Sequence, residues 1–322
     1  MLRAMLRRLM LSVLIIFLVA VFVFLATEVL PGDALDVYLS EDDVAAMSAE
    51  DIEKKRRELG LDVPAPVRFF TWFGKAIVGD FGTTIVDDIP VTEIIVNPLL
   101  NSLLLGGVIT AITIPVAFLI GAGAGYWRGR RPDAVISTAS IIGYSIPDFV
   151  IGMVLIIVFA VWIPLFPAVI TIFNDAPASA LLAVSLLPAA TVIIGHVAHL
   201  SRLLRAGFIE AMNSDYVERA RLSGIPEFRI VLRHVLPASV IPTLNAMALY
   251  AAGVLSGLIV VEKVFGYPGL GVELIKAVDT REVHVVQAIA FLGAVLVVFM
   301  NLLADLAIIA LDPRVRSHVS QQ

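Results

Sequence analysis

Six apolar runs divide this chain, and they restrict its fold more than any other feature. They extend approximately over Leu9 to Leu30, Leu99 to Tyr126, Ala134 to Ile163, Ala180 to Leu200, Val240 to Val261 and Val285 to Leu311. A helix needs about 20 apolar residues to cross the hydrocarbon core of a bilayer, and each run reaches that length. Because 59% of the residues are also hydrophobic, the chain is predicted to be an all-α integral membrane protein with about six transmembrane helices.

Arginines indicate which ends of the spans face the cytoplasm. They occur in every short segment that would lie on the inner side, namely Arg3, Arg7, Arg8, Arg128, Arg130, Arg131, Arg202, Arg205, Arg219, Arg221, Arg229, Arg233, Arg314 and Arg316. The positive-inside rule then places both termini in the cytoplasm and the chain in the cell membrane, inner or plasma. A cleaved signal peptide is the alternative for the first run, but that run is longer than a signal core and no cleavage site is evident.

The spans define a predicted organisation of the chain. Residues 1–30 form the cytoplasmic N-terminus and first helix, and residues 31–96 form an external segment on the periplasmic side. Residues 97–311 form a five-helix core that includes a cytoplasmic loop at 204–239, and residues 312–322 form a cytoplasmic tail.

Two local patterns add detail to this organisation. Ser48 and Asp51 are predicted to form a capping box that opens a helix in the external segment, and Gly60 would end it. Gly121 and Gly125 make a small-xxx-small pair in the second span, which predicts close helix packing.

Several classes of site are not indicated. The chain has no cysteine, so disulfides and thiolate chemistry are excluded, and it has no phosphate-binding loop of the Gly-x-x-x-x-Gly-Lys-[Ser/Thr] type. Basic residues flank the spans and do not form a nucleic-acid surface. His196 and His199 share a helix face but lack the His-Glu-x-x-His spacing of a zinc site, so they are predicted to pack or to bond within their helix. No catalytic, metal or cofactor residue is expected in this chain.

The charged stretch from Glu210 to Ala238 lies between two apolar spans. Asp215 is predicted to cap a helix whose third residue is Glu218, and Gly224 to end that helix in the left-handed conformation. Pro226 then suits the first position of a second helix, with Glu227 in its first turn.

That second helix is predicted to be amphipathic. One face would carry the apolar side chains Phe228, Val231, Leu232 and Val235, and the other would carry Arg229 and Arg233. The stretch therefore predicts two short amphipathic helices that meet at a sharp bend and form a docking surface.

This stretch also carries a resemblance. Glu218, Ala220, Gly224, Leu236 and Pro237 match the EAA-type loop of the membrane subunits of ABC importers, with His234 where the pattern has isoleucine. In that family the loop sits in a cleft of the cytoplasmic ATPase subunit. The resemblance implies that the coupling residues are Asp215, Tyr216, Glu218, Ala220, Gly224, Pro226, Leu236 and Pro237.

Other segments resemble the dipeptide, oligopeptide and nickel branch of that family. They are Pro31–Asp33, Leu59–Asp62 with Pro64, Arg68, Phe69 and Trp72, Gly79–Gly82, Ser145-x-Pro147-x-Phe149 with Gly152, Phe265-x-x-Pro268-Gly269-Leu270-Gly271 and Asp312-Pro313-Arg314. The resemblance implies the type I ABC importer permease fold, with an external segment between helices 1 and 2.

Two of these segments supply candidates for the pathway or its gate. Asp148 is a charge at membrane depth, which is costly unless it faces water or a partner, so Ser145, Pro147 and Asp148 are candidates, with a structural kink as the alternative. The turn at the outer end of the fifth span adds Phe265, Pro268, Gly269 and Gly271, as a gate or its support. Asp305, one turn from Asn301, is predicted to be a structural polar pair, with a pathway role as the alternative.

The resemblance implies a permease subunit, not an enzyme, of an ATP-driven, binding-protein-dependent importer of di- or oligopeptides that works by alternating access. Its implied partners are a second permease subunit of related fold, two cytoplasmic ABC ATPase subunits that hold ATP and Mg²⁺, an external substrate-binding protein and the lipid bilayer. Nickel or another small solute is the alternative cargo. A gradient-driven carrier or channel is the alternative class, and an intramembrane enzyme lacks a catalytic constellation.

Overall fold

The structure, a computed structural model, describes residues 2–28, 47–58, 62–85 and 87–311. Within these residues the regular structure is helical, apart from an isolated bridge between Thr83 and Pro90. The helices are α1 Leu2–Glu28, α2 Ala49–Glu58, α3 Ala65–Ile77, α4 Val91–Tyr126, α5 Arg131–Ser145, α6 Asp148–Ile156 with a π-helical extension Ile157–Trp162, α7 Ala178–Val184, α8 Leu186–Met212, α9 Asp215–Leu222, α10 Glu227–Ile230 with a π-helical extension Val231–Val235, α11 Leu236–Phe265, α12 Leu270–Asp279 and α13 Val283–Leu311. The segments at Pro31–Asp33, Gly60 and Asp312–Arg314 lie outside the described residues.

All six predicted spans correspond to helices. Among the described residues, α1, α4, α8 and α13 each contain a stretch long and apolar enough to cross a membrane, and α5 with α6 does so as a bent pair. The fifth predicted span corresponds to α11, whose 30 residues would extend over about 45 Å at 1.5 Å per residue. The prediction of an all-α membrane protein is confirmed.

Three spans differ clearly from their predicted form. The fourth, predicted over Ala180 to Leu200, is divided between α7 and α8, and α8 continues to Met212. Helix α4 begins at Val91 instead of Leu99, and its 36 residues include Pro98 and Pro115. The third span is not one helix, because α5 and α6 meet at 98°. Ile146 between them is extended, with φ −94° and ψ 126°, as expected for a residue that precedes a proline.

Helix α8 lies at the centre of the bundle, in close contact with α4 and α11. A Cβ added to Gly121 would lie 2.6 Å from the carbonyl oxygen of Ser201, and one added to Gly125 would lie 2.7 Å from the ring of Phe208. On the α11 side, a Cβ at Gly207 would lie 2.7 Å from the carbonyl oxygen of Ser239. Helix backbones approach this closely only where side chains are small, so the predicted packing role of Gly121 and Gly125 is confirmed.

The described part of the segment between α1 and α4 contains two helices, α2 and α3. Its predicted capping box is present, because the Ser48 hydroxyl donates to the Asp51 carboxylate at 2.6 Å and accepts the Asp51 N–H at 3.2 Å. Helix α3 then lies on α1 and α13 through an aromatic cluster of Phe17, Phe24, Phe69, Trp72, Phe73 and Phe291. Such edge-to-face pairs stabilise a contact beyond the area that they bury.

Helices α1 and α13 are antiparallel and joined near both ends. The Gln287 amide donates to the Thr27 hydroxyl at 2.8 Å, and at the opposite end Arg8 forms a 2.5 Å ion pair with Asp305. Asp305 is therefore a structural polar pair as predicted, but its partner is Arg8 rather than Asn301. The pairing with Arg8 could not be read from the spacing within α13, because it depends on which helix lies beside it.

Candidate functional site

The polar hairpin, residues 213–239, connects α8 to α11. Its first helix, α9, begins with Asp215, and Ser214 occupies the N-cap position without a side-chain cap hydrogen bond. The predicted capping box of Asp215 and Glu218 is therefore wrong. The Ser214 hydroxyl instead donates to the Ala211 carbonyl oxygen at 2.6 Å, so it bonds back to the end of α8.

The bend of the hairpin is the part that the sequence predicts best. Helix α9 ends at Leu222, and Gly224 has φ +77°, the left-handed conformation expected of a glycine after a helix. The Ile225 N–H donates to the Ala220 carbonyl oxygen at 3.1 Å and so closes the helix end.

An ion pair spans this bend. The Arg221 guanidinium donates to both carboxylate oxygens of Glu227, at 2.6 and 3.0 Å. Its hydrogen bonds, together with its positive charge, hold the pKa of Glu227 below its ordinary value, and the hydrogen bonds to the carboxylate raise the pKa of Arg221. Both side chains are more than one third exposed, so the pair fixes geometry more than it adds stability.

The second half of the hairpin differs from the prediction. Pro226 is the N-cap residue of α10, and α10 continues through Val231–Val235 into α11 without an interruption, so there is no separate second short helix. Leu236 and Pro237 lie where the π-helical extension meets α11. The predicted apolar face is also wrong, since Phe228 and Leu232 are exposed while Ile230 and Val235 are buried.

A small apolar core fixes the hairpin to the bundle. Its buried members are Phe208, Ala211, Val217, Ile230 and Val235, and Ala220 and Ile225 pack against them. Phe208 also contacts α4 at Gly125. Helix α9 therefore shares one packed core with α4, α8 and α11.

The tip of the hairpin carries exposed apolar side chains. Leu222 is 82% exposed, Phe228 is 75% exposed, and Tyr216 is also exposed, on the two sides of Gly224. Glu218 lies on the same exposed helix. An apolar tip with a rigid base is suited to insertion into a groove of another protein.

The break in the third span places Asp148 against α8. The Ser145 hydroxyl donates to the Ile141 carbonyl oxygen at 2.7 Å at the end of α5, and Pro147 is the N-cap residue of α6. The Asp148 carboxylate lies over Gly195, where an added Cβ would come within 2.9 Å of its Oδ1. Glycine at 195 is thus what admits this carboxylate to the helix surface.

The turn at the end of α11 contacts the same region. Phe265 lies against Gly152 of α6, where an added Cβ would be 3.2 Å from its ring. Gly266 has φ +65°, and the Phe265 carbonyl oxygen accepts the Ile170 N–H at 2.8 Å from the segment between α6 and α7. The structure therefore brings the two groups of pathway candidates together through α6.

Glu262 organises this turn, although no role was predicted for it. It is 1% exposed, and its carboxylate accepts hydrogen bonds from the Gly271 N–H at 2.6 Å, from the Val272 N–H and from the Ser102 hydroxyl at 2.5 Å. The Ser102 hydroxyl in turn accepts the Leu270 N–H at 2.9 Å. The first N–H groups of α12 have no acceptors within their own helix, so α11 and α4 supply them.

The two glycines of the turn make this arrangement possible. A Cβ at Gly271 would lie 2.5 Å from the Ile259 Cα and 2.8 Å from the Glu262 Oε2, and a Cβ at Gly269 would overlap the Glu262 carboxyl group. Asn101 adds a second link, since its side-chain amide donates to the Pro268 carbonyl oxygen at 2.8 Å and its backbone oxygen accepts the Tyr267 hydroxyl at 3.2 Å. The useful signal was an acidic residue that directly precedes a glycine-rich turn.

The histidines of α8 lie between aromatic rings. His196 lies 2.8 Å from the Val192 carbonyl oxygen through Nδ1, and its ring contacts Tyr250 with centroids 4.6 Å apart. The His199 ring stacks on Tyr144 at 4.7 Å. Both arrangements agree with the predicted packing and helix bonding.

A bidentate ion pair near the start of α5 was also not predicted from the sequence. The Arg205 guanidinium donates to both oxygens of the Asp133 carboxylate, at 2.6 and 2.8 Å, and the carboxylate also accepts the Gly129 N–H at 2.9 Å. Asp133 is buried, so this pair fixes α5 to α8 beside the polar hairpin.

Comparison with known proteins gives the family. Residues 95–317 match the family described as binding-protein-dependent transport system inner membrane component, and residues 1–93 match the N-terminal part of such membrane components. The chain is 35% identical over 321 residues to the glutathione transport system permease protein GsiC of Escherichia coli strain K12, covering 98% of this chain and 99% of GsiC. It is 31% identical over 319 residues to a peptide permease protein of Brucella ovis, covering 98% and 99%. The chain belongs to the family of inner membrane components of binding-protein-dependent transport systems.

Proposed function

We propose that this chain is a permease subunit of an ATP-driven importer of di- and oligopeptides. A second permease subunit of related fold would complete the pathway, two ABC ATPase subunits would bind ATP and Mg²⁺, and an external binding protein would deliver the peptide. The observation that carries the proposal is the polar hairpin, an exposed apolar tip on a base packed against α4, α8 and α11.

The hairpin supports the coupling step. A partner that grips Tyr216, Leu222 and Phe228 can move the ends of α8 and α11 as one body, because Val217 and Ile230 are buried in the same small core. Closure of the ATPase dimer on ATP would then alternate the access of the pathway between the two sides. Since such coupling is reciprocal, delivery of peptide by the binding protein should favour the ATP-bound state.

The orientation is part of the proposal. The antiparallel contact between α1 and α13, in which Arg8 pairs with Asp305, supports an arrangement with both termini on one side of the membrane. The arginine-bearing segments, including the polar hairpin, would lie on the cytoplasmic side under the positive-inside rule.

The cargo follows from the relatives. GsiC is named for glutathione, a tripeptide, and the protein of Brucella ovis is named a peptide permease. Within the described residues no cluster of His, Cys, Asp or Glu that could hold a metal ion is present. These relatives favour peptides as the cargo.

The test is a substitution at the bend of the hairpin. Gly224 has φ +77° with open space around it, so valine there strains only the backbone. We expect Gly224→Val to reduce ATP-driven uptake of tripeptide into proteoliposomes at least tenfold in the complete complex, because it shifts α9 relative to α10. Gly129→Val is the matched control, since Gly129 has φ +75°, is equally open and lies in the turn between α4 and α5.

The two variants separate coupling from folding. Both should assemble with their partners and resist heat equally, since the strain of a left-handed residue, about 1–2 kcal/mol, is the same in each. Uptake by Gly224→Val that equals uptake by Gly129→Val would contradict the coupling role of the hairpin. Uptake that persists without any ATPase subunit would contradict the proposed function as a whole.

A further inference from the structure

Opposite charges lie at two levels along one face of α8, Asp148 from α6 and Arg202 from α8 itself. Gly195, over which the Asp148 carboxylate lies, and Arg202 are seven residues apart, which is close to two helical turns. They therefore share one face of the helix, and His199 lies between them. The axial separation is about 10 Å at 1.5 Å per residue.

The Asp148 carboxylate is half-buried at membrane depth. Among the described residues it has no ion pair and no side-chain cap hydrogen bond, although His196 and Tyr250 lie within electrostatic range. A carboxylate in the hydrocarbon region is costly unless it faces a water-filled cavity or a cationic partner. A cation that binds to Asp148 would offset this cost.

Arg202 lies at the other end of this face. It borders a cavity of about 610 Å³ between α5 and α8, which Tyr144, His199 and Ser137 also line. Arg205, one turn further along α8, forms an ion pair with Asp133. Arg202 is exposed and forms no ion pair within the described part of the chain. Its guanidinium is thus free to bind a carboxylate with two parallel hydrogen bonds.

The cavity beside Arg202 has an aromatic floor, and Asp148 lies against α8 one helical turn beyond the ring of His199. The stacked rings of Tyr144 and His199 lie between Asp148 and Arg202 along α8, and Tyr144 is exposed toward the cavity. Such a surface packs against the flat peptide group without selecting a side chain. An extended chain advances about 3.3–3.6 Å per residue, so 10 Å corresponds to two or three residues.

We propose that Asp148 and Arg202 bind the two charged termini of a short peptide in transit, with Asp148 taking the α-ammonium group and Arg202 the α-carboxylate. The separation of the charges selects di- and tripeptides, and the aromatic floor admits varied side chains. This inference rests on the proposed function, because it names how the imported peptide is recognised inside the membrane.

The experiment measures peptide binding to the purified complex without the external binding protein, which would impose its own selection. The probes are tritiated trialanine, its N-acetyl form and its C-terminal amide. We expect the wild type to bind trialanine at least about tenfold more tightly than either blocked form. Asp148→Asn should lose the preference against the N-acetyl form alone, and Arg202→Gln should lose the preference against the amide alone.

Matched controls remove the same charges elsewhere. Asp175→Asn lies in the segment between α6 and α7, and Arg128→Gln lies in the turn between α4 and α5, both exposed. Both should retain the two preferences of the wild type. A purely structural role for Asp148 or Arg202 would lower the affinity for all three probes by the same factor, and that result would overturn the inference.

The remaining outcomes are also decisive. Unchanged preferences in both variants, or no binding of trialanine to the wild type at millimolar concentration, would overturn the inference. Because the measurement needs no ATP, it is separate from the uptake test. Loss of ATP-driven uptake with the expected binding pattern would reject the proposed function and keep the peptide site.

Discussion

Replacement of Glu262 by alanine is expected to destabilise the chain strongly. The carboxylate of Glu262 is the acceptor for the N–H groups of Gly271 and Val272 at the start of α12 and for the Ser102 hydroxyl of α4. Alanine removes this acceptor and leaves the three donors inside a packed region where Glu262 itself is 1% exposed.

The magnitude follows from the groups that lose their partners. A buried donor left without an acceptor costs about 1–3 kcal/mol, so the two backbone N–H groups account for about 2–6 kcal/mol. Glutamine keeps one carbonyl oxygen as an acceptor for the Gly271 N–H, so Glu262→Gln should cost less than half as much. The order wild type, glutamine, alanine is therefore expected for stability.

Ser102 provides the coupling test. Its hydroxyl donates to Glu262 and accepts the Leu270 N–H, so Ser102→Ala should also destabilise, by about 1–3 kcal/mol. In a chain that already carries Glu262→Ala, the hydrogen bond between Ser102 and residue 262 is absent, so Ser102→Ala removes one interaction fewer. The double variant should therefore be less destabilised than the two single variants together, by at least about 1 kcal/mol.

The assay is thermal and urea unfolding of the purified subunit in detergent, for the wild type, both single substitutions at Glu262, Ser102→Ala and the double variant. Lys263→Ala, at the exposed neighbouring position, is the control for a change at this level of α11. Strict additivity of Glu262→Ala and Ser102→Ala, or a stability of Glu262→Ala within about 0.5 kcal/mol of the control, would refute the assigned hydrogen-bond network.

Two further predictions concern packing and charge. Gly121→Ala should destabilise the subunit by about 1–3 kcal/mol in the same unfolding assay, because its Cβ would overlap Ser201 and Leu204. Gly107→Ala, on the same helix, has open space around it and should be neutral or stabilising. Equal effects of the two substitutions would contradict the close approach of α4 and α8. Because the pKa of Glu227 is lowered in the folded state, its ion pair with Arg221 stabilises the hairpin above the ordinary value of 4.5 and is lost as the pH falls through the folded pKa. The wild type should therefore lose more stability between pH 7 and pH 4 than Glu227→Gln does. Since the pair is exposed, the excess loss should be at most about 1 kcal/mol, and equal losses would contradict the pairing.

Much of the architecture could be predicted from residues that are close together in the sequence. The six apolar runs all correspond to helices because a segment in lipid must satisfy its own backbone hydrogen bonds. The bend at Gly224 and the capping box at Ser48 were predictable for the same kind of reason, since each depends on residues within one or two turns. Even so, the second predicted helix of the hairpin was misjudged, because apolar periodicity did not show that it continues into α11.

The tertiary structure decided which distant groups meet. Glu262 and Ser102 are 160 residues apart, and Arg8 pairs with Asp305, yet no local pattern specifies either partner. Membrane helices are apolar around most of their circumference, so periodicity does not reveal which face meets which neighbour. The sequence by itself thus determined the membrane spans and the bend of the hairpin, because both depend on backbone hydrogen bonds and backbone conformation within a short segment. Only the packed structure placed Asp148 over Gly195 and gave the turn after α11 its buried acceptor, because those contacts depend on the arrangement of whole helices.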